Sequence, residues 1–265
     1  MPCGVAARSI WNGTISLGTI AVPIKVHSAT ENKTVHFNQV HEPDGARIEY
    51  KRIDPATGDE VPYKEITKGY EISEGEYVVL EKDEVDAASG DRSRLLDIEE
   101  FVDAHEIDPI FFEKTYYLGV RDAEDAYRLL HEALDRTGRA GIARWVFHNR
   151  EYLVAIRALG EGLAMHTMRF HDELVEPKDV EVAEPSRKPS DKEIEMASAL
   201  VDTLHADFEP EEQLVDTYRA GLLDYLDKKR EGKAPKPKKA KPREASDDLM
   251  AALQASLDAG KKKKG

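Results

Sequence analysis

The feature that most constrains this chain is a period of two in its apolar residues. In IAVPIKVHS, Val22, Ile24 and Val26 alternate with Pro23, Lys25 and His27. Successive side chains of extended backbone point to opposite sides, so this is the pattern of a strand with one face buried. RIEYKRI and GEYVVLEK alternate in the same way and are separated by the turn-rich DPATGDE. GIARWVFHNREYLVAIRAL reads as two strands joined at His148 to Glu151, and LAMHTMRF as a third after the turn Gly160 to Gly162. Consecutive short strands with tight turns favour an antiparallel barrel or sandwich. One helix interrupts them, DAEDAYRLLHEALDRTG, with Asp122 as its N-cap, an apolar face of Leu129, Leu130, Ala133 and Leu134, and Gly138 as its stop.

The character changes after EPSRKPS. Ser190 followed by Glu193 is a capping box, and Ile194, Ala197, Leu200, Val201 and Leu204 then recur at helical spacing. A second helix is expected to start near Pro210, with Leu214, Val215, Tyr218, Leu222, Tyr225 and Leu226 on one side. Two amphipathic helices alone cannot hide such stripes, so they are expected to pack on the barrel or on a partner chain. Beyond Arg230, GKAPKPKKAKPRE buries too little apolar surface to offset chain entropy and is expected to be disordered. SDDLMAALQASLDAG then places Leu249, Leu253 and Leu257 at i, i+4, i+8, with Ser246 positioned to cap. A short amphipathic helix on a basic leash has the form of a segment offered to a partner's groove.

Charge divides the chain as sharply as hydropathy does. The formal charge is -14, but residues 228–265 carry +8, which leaves -22 on residues 1–227. An acidic body repels phosphate on average, so any nucleic-acid contact must come from local clusters or from the tail. The single cysteine, Cys3, permits no intrachain disulfide, and neither a signal peptide nor a membrane span is evident; a cytoplasmic protein is expected.

Nine histidines and 52 acidic residues invite a search for catalysis, yet there is no HExxH, Cys pair, P-loop, GxGxxG or GxSxG. His36 and His41, like His166 and His171, are five apart, a spacing that does not share a helical face. No catalytic site and no metal or other cofactor is expected. Candidate phosphate contacts are Lys33, Arg47, Lys51, Arg52, Lys64 and Lys68, set among the seven acids Glu42, Asp44, Glu49, Asp54, Asp59, Glu60 and Glu65. A second cluster is Arg139, Arg144, Arg150 and Arg157. In the tail, Lys236, Lys238, Lys239 and Lys241 supply further positive charge. On charge alone a solvated strand surface is the better reading of the first cluster, and surface salt bridges explain the arginine cluster equally well.

Five segments decide more than the charges do: RSIWNGTISLGTIAVPIKVHSATE, VHFNQVHEPDGARIEYKRI, GYEISEGEYVVLEKDEVD, IEEFVDAHEIDPIFFEKTYYL and LMAALQASL. Spanning nearly the whole chain in this order, they resemble the bacterial Ku family. The resemblance implies a mainly β fold with α. A β-barrel core with a strand-built, DNA-encircling bridge would occupy 1–185, and a helical arm contributing to dimerisation 186–230. A flexible basic tail would occupy 231–265, with a partner helix at 246–259. It implies a homodimeric ring that binds ends of double-stranded DNA without reading sequence. It also implies recruitment and stimulation of an ATP-dependent DNA ligase in non-homologous end joining of double-strand breaks. On that reading the six residues from Lys33 to Lys68 lie on or near the bridge, Arg139, Arg144 and Arg150 are further DNA contacts, and Leu249, Leu253 and Leu257 meet the ligase. The site would be the bacterial nucleoid. Two departures stand out. Eukaryotic members carry an additional N-terminal α/β domain, for which there is no room ahead of Arg8. Where some bacterial members have a Cys pair suited to zinc, this chain has RIDPATG, so zinc is not expected. The reading from a different class is an acidic protein-interaction scaffold that does not bind DNA, and a third is a hydrolase with a cryptic His and Glu site.

Overall fold

The structure is a computed structural model that describes residues 8–81, 84, 94–148, 150–180, 187–233 and 249–264. Two units are distinguished: Met1–Lys33 with Phe37–Asp179, and Thr34–His36 with Val180–Gly265.

The first unit opens with a hairpin of β1 (Trp11–Leu17) and β2 (Ile20–Ser28). It turns on Gly18, whose φ of +57° an L side chain rarely adopts. A second, separate hairpin follows, β3 (Lys68–Ser73) with β4 (Glu76–Leu80). Then come β5 (Leu95–Asp103), β6 (Phe112–Val120), the helix α1 (Glu124–Thr137), β7 (Arg139–Phe147), β8 (Arg150–Leu159) and β9 (Gly162–Met168). Seven strands close into a barrel in the order β1-β2-β6-β9-β8-β7-β5.

The barrel is mixed where an antiparallel one was expected. Every pairing is antiparallel except β1 with β5, which matches Thr14 to Leu95, Ile15 to Leu96 and Ser16 to Asp97 in parallel. Parallel neighbours require a long crossover. Here residues 29–94 provide it, leaving the barrel after β2 and returning beside β1. Closure therefore depends on an excursion, and that excursion carries the first basic cluster.

The barrel core follows the alternation read from sequence. Val22, Ile24 and Val26 are buried, together with Ile15, Leu96, Leu118, Trp145, Val154, Ile156, Leu163 and Met165. Helix α1 adds Leu130 and Leu134 to this core. Its buried face differs from the expected one: Ala126 and Tyr127 pack inward, whereas Leu129 is 61% exposed and Ala133 is exposed. The start differs too. Asp122 sits at φ +59°, outside the extended backbone of an N-cap, and Ala123 takes the cap position without a side-chain bond. Gly138 ends the helix in the left-handed conformation, as its position implied.

RIEYKRI is not a continuous strand. Its first half bridges back to Val40 through Arg47, and its second half bridges forward to Glu60 through Ile53. No single neighbour runs beside all seven residues, so they link two short loops. The first loop is held by Asp44, which accepts bonds from Ala46 N at 3.0 Å and His41 Nδ1 at 2.8 Å. The second is held by Asp54, which accepts from Ala56 N at 2.8 Å.

In the second unit, α2 (Asp191–Leu204) begins at the expected capping box: Ser190 Oγ accepts from Glu193 N at 3.4 Å, and Glu193 Oε2 accepts from Ser190 N at 2.8 Å. The helix expected near Pro210 is two pieces, α3 (Pro210–Gln213) and α4 (Thr217–Arg230). Asp216 recaps the second by accepting from Arg219 N at 2.8 Å, so Leu214 and Val215 fall between helices. The last element, α5 (Leu249–Lys264), packs along α2. The expectation was cover from the barrel or a partner chain; within this unit the tail helix packs along α2 but leaves Ile194, Val201 and Leu204 52%, 69% and 64% exposed.

Candidate nucleic-acid interface

From Phe37 to Leu80 no residue is buried. A two-stranded hairpin and two bridged loops cannot build a core, so this excursion presents nearly all of its side chains outward. Among them are Phe37, Tyr50, Tyr63, Tyr70 and Tyr77, each more than half exposed. Large apolar exposure on this scale marks a contact surface rather than ordinary solvent-facing chain.

The basic residues of the excursion fall into two classes. Lys51 Nζ lies 2.7 Å from Glu60, Lys33 lies 3.6 Å from Glu31, and Lys64 lies 3.7 Å from Glu65. By contrast, no carboxylate lies within ion-pair distance of Arg47, Arg52 or Lys68 among the described residues. Arg47 lines an open cleft of about 700 Å³ with Phe37, Gln39 and Tyr50. The guanidinium of Arg52 lies 5.3 Å from the centre of the Tyr63 ring, a cation-π contact that leaves its charge uncompensated. Lys68 opens β3 opposite Leu80. Interleaved tyrosines and unpaired cations form a surface that can take phosphate and stack on planar groups. The tyrosines were not singled out from sequence, although EYKRI already sets Tyr50 beside Lys51 and Arg52.

The second cluster lies on β7 and β8 and is neutralised. Arg139 Nε is 3.4 Å from Asp103, and Arg150 Nη2 is 3.3 Å from Glu173. Arg144 donates to Glu151 at 2.6 Å and to Glu99 at 3.0 Å, and these carboxylates, Glu151 first, hold its pKa above the ordinary arginine value. Arg157 donates instead to His166. Lys236, Lys238, Lys239 and Lys241 lie outside the described residues. Leu253 and Leu257 lie on α5, which begins at Leu249.

The family model for the Ku70/Ku80 beta-barrel domain matches residues 16–196. The chain belongs to the Ku family. It is 41% identical to "Non-homologous end joining protein Ku 1" of Saccharopolyspora erythraea, over 97% of this chain and 80% of that one. It is 40% identical to "Non-homologous end joining protein Ku" of Anaeromyxobacter sp. (strain K), over 97% and 87%. It is 37% identical to the protein of the same name from Bacillus subtilis (strain 168), over 95% and 82%.

Within this Ku barrel, the most perturbed histidine has a structural job. His166 is 6% exposed, and its Nε2 accepts from Arg157 Nε at 2.9 Å. Arginine can only donate, so the ring proton sits on Nδ1 and is given to Thr115 Oγ1, also at 2.9 Å. Burial first, then the charge of Arg157, lowers its pKa from 6.5 to about 4. A folded value below the unfolded one means that unfolding takes up a proton between them. Stability from this group is therefore complete above pH 6.5 and falls as the pH drops toward 4. The loss expected by pH 4 is about 2 to 3 kcal/mol. Urea midpoints measured from pH 7.5 to 4 should show this slope, and His166→Gln should flatten it; an unchanged slope in that variant would exclude His166 as its source.

Among the described residues, no group of three or more His, Cys, Asp or Glu is placed to hold a metal ion. No described helix is long and apolar enough to cross a membrane.

Proposed function

We propose that this protein binds the ends of double-stranded DNA as a ring-shaped homodimer, without reading sequence. In this role it recruits and stimulates an ATP-dependent DNA ligase in non-homologous end joining on the bacterial nucleoid. It acts as a binding and recruiting protein, with the chemistry left to the ligase. The observation that carries the reading is the excursion from Phe37 to Leu80. It has no buried residue, hangs from a closed barrel of the Ku family, and carries Arg47, Arg52 and Lys68 without carboxylate partners among the described residues. A segment with no core of its own gains one by meeting a second copy or a ligand. A ring explains how a body of charge -22 can serve DNA, since only its lumen must be positive and an acidic exterior limits adhesion elsewhere.

In this division of labour, residues 1–185 form the barrel and bridge, 186–230 the dimerising arm, and 231–265 the basic tail. The arm leaves Leu214 70%, Val215 57% and Tyr218 78% exposed in the single chain, which suits burial against a second protomer. The stripe of Leu249, Leu253 and Leu257 is the ligase contact, and Lys236, Lys238, Lys239 and Lys241 add mobile positive charge toward flanking duplex.

Neutralisation of Arg139, Arg144 and Arg150 favours the second reading, an acidic interaction scaffold that does not bind DNA. A gel-shift comparison of linear duplex with a covalently closed circle of equal length separates the two. The ring requires strong retention on linear DNA alone, in a complex whose sedimentation contains two protomers. Equal binding to the circle refutes end recognition, and no binding to either favours the scaffold.

A further inference from the structure

Two of the three leucines assigned to the ligase, Leu253 and Leu257, are already partly or fully buried within this chain. Leu257 is 8% exposed, α5 packs along α2, and the half-buried Leu253 forms one wall of an open cleft opposite Glu193, Ile194, Ala197, Val201 and Asp202 of α2. Of the two carboxylates that line that cleft, Glu193 and Asp202, the buried one, Glu193, is satisfied. Both oxygens of Glu193 meet Arg187, and Oε2 also accepts from Ser190 Oγ at 2.7 Å. These partners, Arg187 first, hold the carboxylate well below its ordinary range. An apolar helix can therefore lie beside Glu193 without stranding a charge.

We propose that the groove on α2 is a receptor for the chain's own C-terminal helix, and that this contact withholds the leucine stripe from the ligase. The proposal rests on the ligase reading above. The two contacts exclude each other, because the face of α5 that packs on α2 cannot at the same time enter a partner's groove. Apparent affinity for the ligase is then the intrinsic affinity reduced by the open fraction. A helix closed nine parts in ten weakens binding about tenfold. The occupant is the chain's own helix, since α2 and α5 belong to one unit of the fold and only residues 205–248 separate them.

The test uses the full-length protein and the purified ATP-dependent end-joining ligase of the same organism. Ile194 and Val201 are 52% and 69% exposed, so Ile194→Asp with Val201→Glu breaks the receptor without disturbing a core or the leucines. Hydrogen exchange of residues 252–258 is expected to be slow in the wild type at both low and high protein concentration. It should be fast in the receptor variant, which should bind the ligase about tenfold more tightly when compared with the wild type in preparations whose sedimentation shows the same oligomeric state. In Leu253→Asp/Leu257→Asp, both the protection and ligase binding are expected to be lost. Fast exchange in the wild type, or unchanged protection in the receptor variant, overturns the receptor. Protection that appears only at high concentration assigns the groove to a second copy's helix and overturns the intrachain contact. An opened variant that binds ligase no better overturns the withholding. Should the ligase bind neither protein, the ligase reading falls and the withholding with it, while the exchange data still establish the helix in its groove.

Discussion

Trp145→Ala is expected to cost the barrel about 3 to 5 kcal/mol, the range for truncating a buried large aromatic. Domains of ordinary stability hold about 5 to 15 kcal/mol in total, so the variant should be partly unfolded at modest urea. Trp145 is fully buried and touches aromatics from three other strands. Trp11 of β1 and Tyr116 of β6 meet it edge-on at 6.1 and 5.2 Å, Tyr152 of β8 lies tilted against it at 5.8 Å, and its strand neighbour Phe147 stacks at 4.6 Å. Truncation leaves a void shared by β1, β6, β7 and β8, which a closed barrel cannot collapse to fill. Trp145→Phe should cost less, because the indole Nε1 finds no acceptor among the described residues and its removal relieves a buried unpaired donor. Leu129→Ala, on the exposed side of α1, should change stability by no more than about 0.5 kcal/mol. Urea unfolding of the three variants gives the comparison. A large loss at Leu129, or none at Trp145→Ala, would contradict the packing described.

That contrast also shows where the fold was legible in sequence. Val22, Ile24 and Val26 kept a clean period of two and became the inner face of β2. Strands β5 and β6 were not read because each carries a register shift, between Ile98 and Glu100 and between Phe112 and Thr115, and a bulge moves later residues to the other face. RIEYKRI failed for the opposite reason. Its alternation is real, but no partner strand runs along it and nothing in the described chain buries either face. Alternation reports a surface ready to be covered, not the presence of the cover. At α1, Leu130 and Leu134 are flanked by Ala126 and Tyr127 on one side and by Leu129 and Ala133 on the other, and packing against the barrel, which the helix's own periodicity does not fix, turns the first pair inward. For the candidate site, the charge types were visible but the partners were not. Arg139, Arg144 and Arg150 meet Asp103, Glu99 and Glu173 across separations of 36, 45 and 23 residues, which only strand order brings together.

The partition into paired and unpaired cations makes a sharp forecast for DNA. Replacing Arg47, Arg52 and Lys68 together with alanine is expected to weaken binding to a linear duplex about 500-fold at roughly 0.1 M salt for each protomer that engages. Each phosphate contact contributes about 0.9 to the slope of log affinity against log salt, and so about 0.9 of a logarithmic unit at that concentration. The slope itself should become shallower by about 2.7 for each protomer that engages. Arg139→Ala, Arg144→Ala and Arg150→Ala together should cost no more than roughly threefold, since exposed pairs contribute little and their charges are already met by carboxylates. None of the six is buried, so both variants should keep the parent's unfolding midpoint to within about 0.5 kcal/mol each, and lost affinity can be assigned to contact rather than folding. Filter binding of a short linear duplex from 50 to 400 mM salt measures both quantities. If the paired set proves the costlier, the lumen lies along β7 and β8 and the arginines exchange Asp103, Glu99 and Glu173 for phosphate. If neither set alters the slope, the positive charge that meets DNA lies outside both clusters.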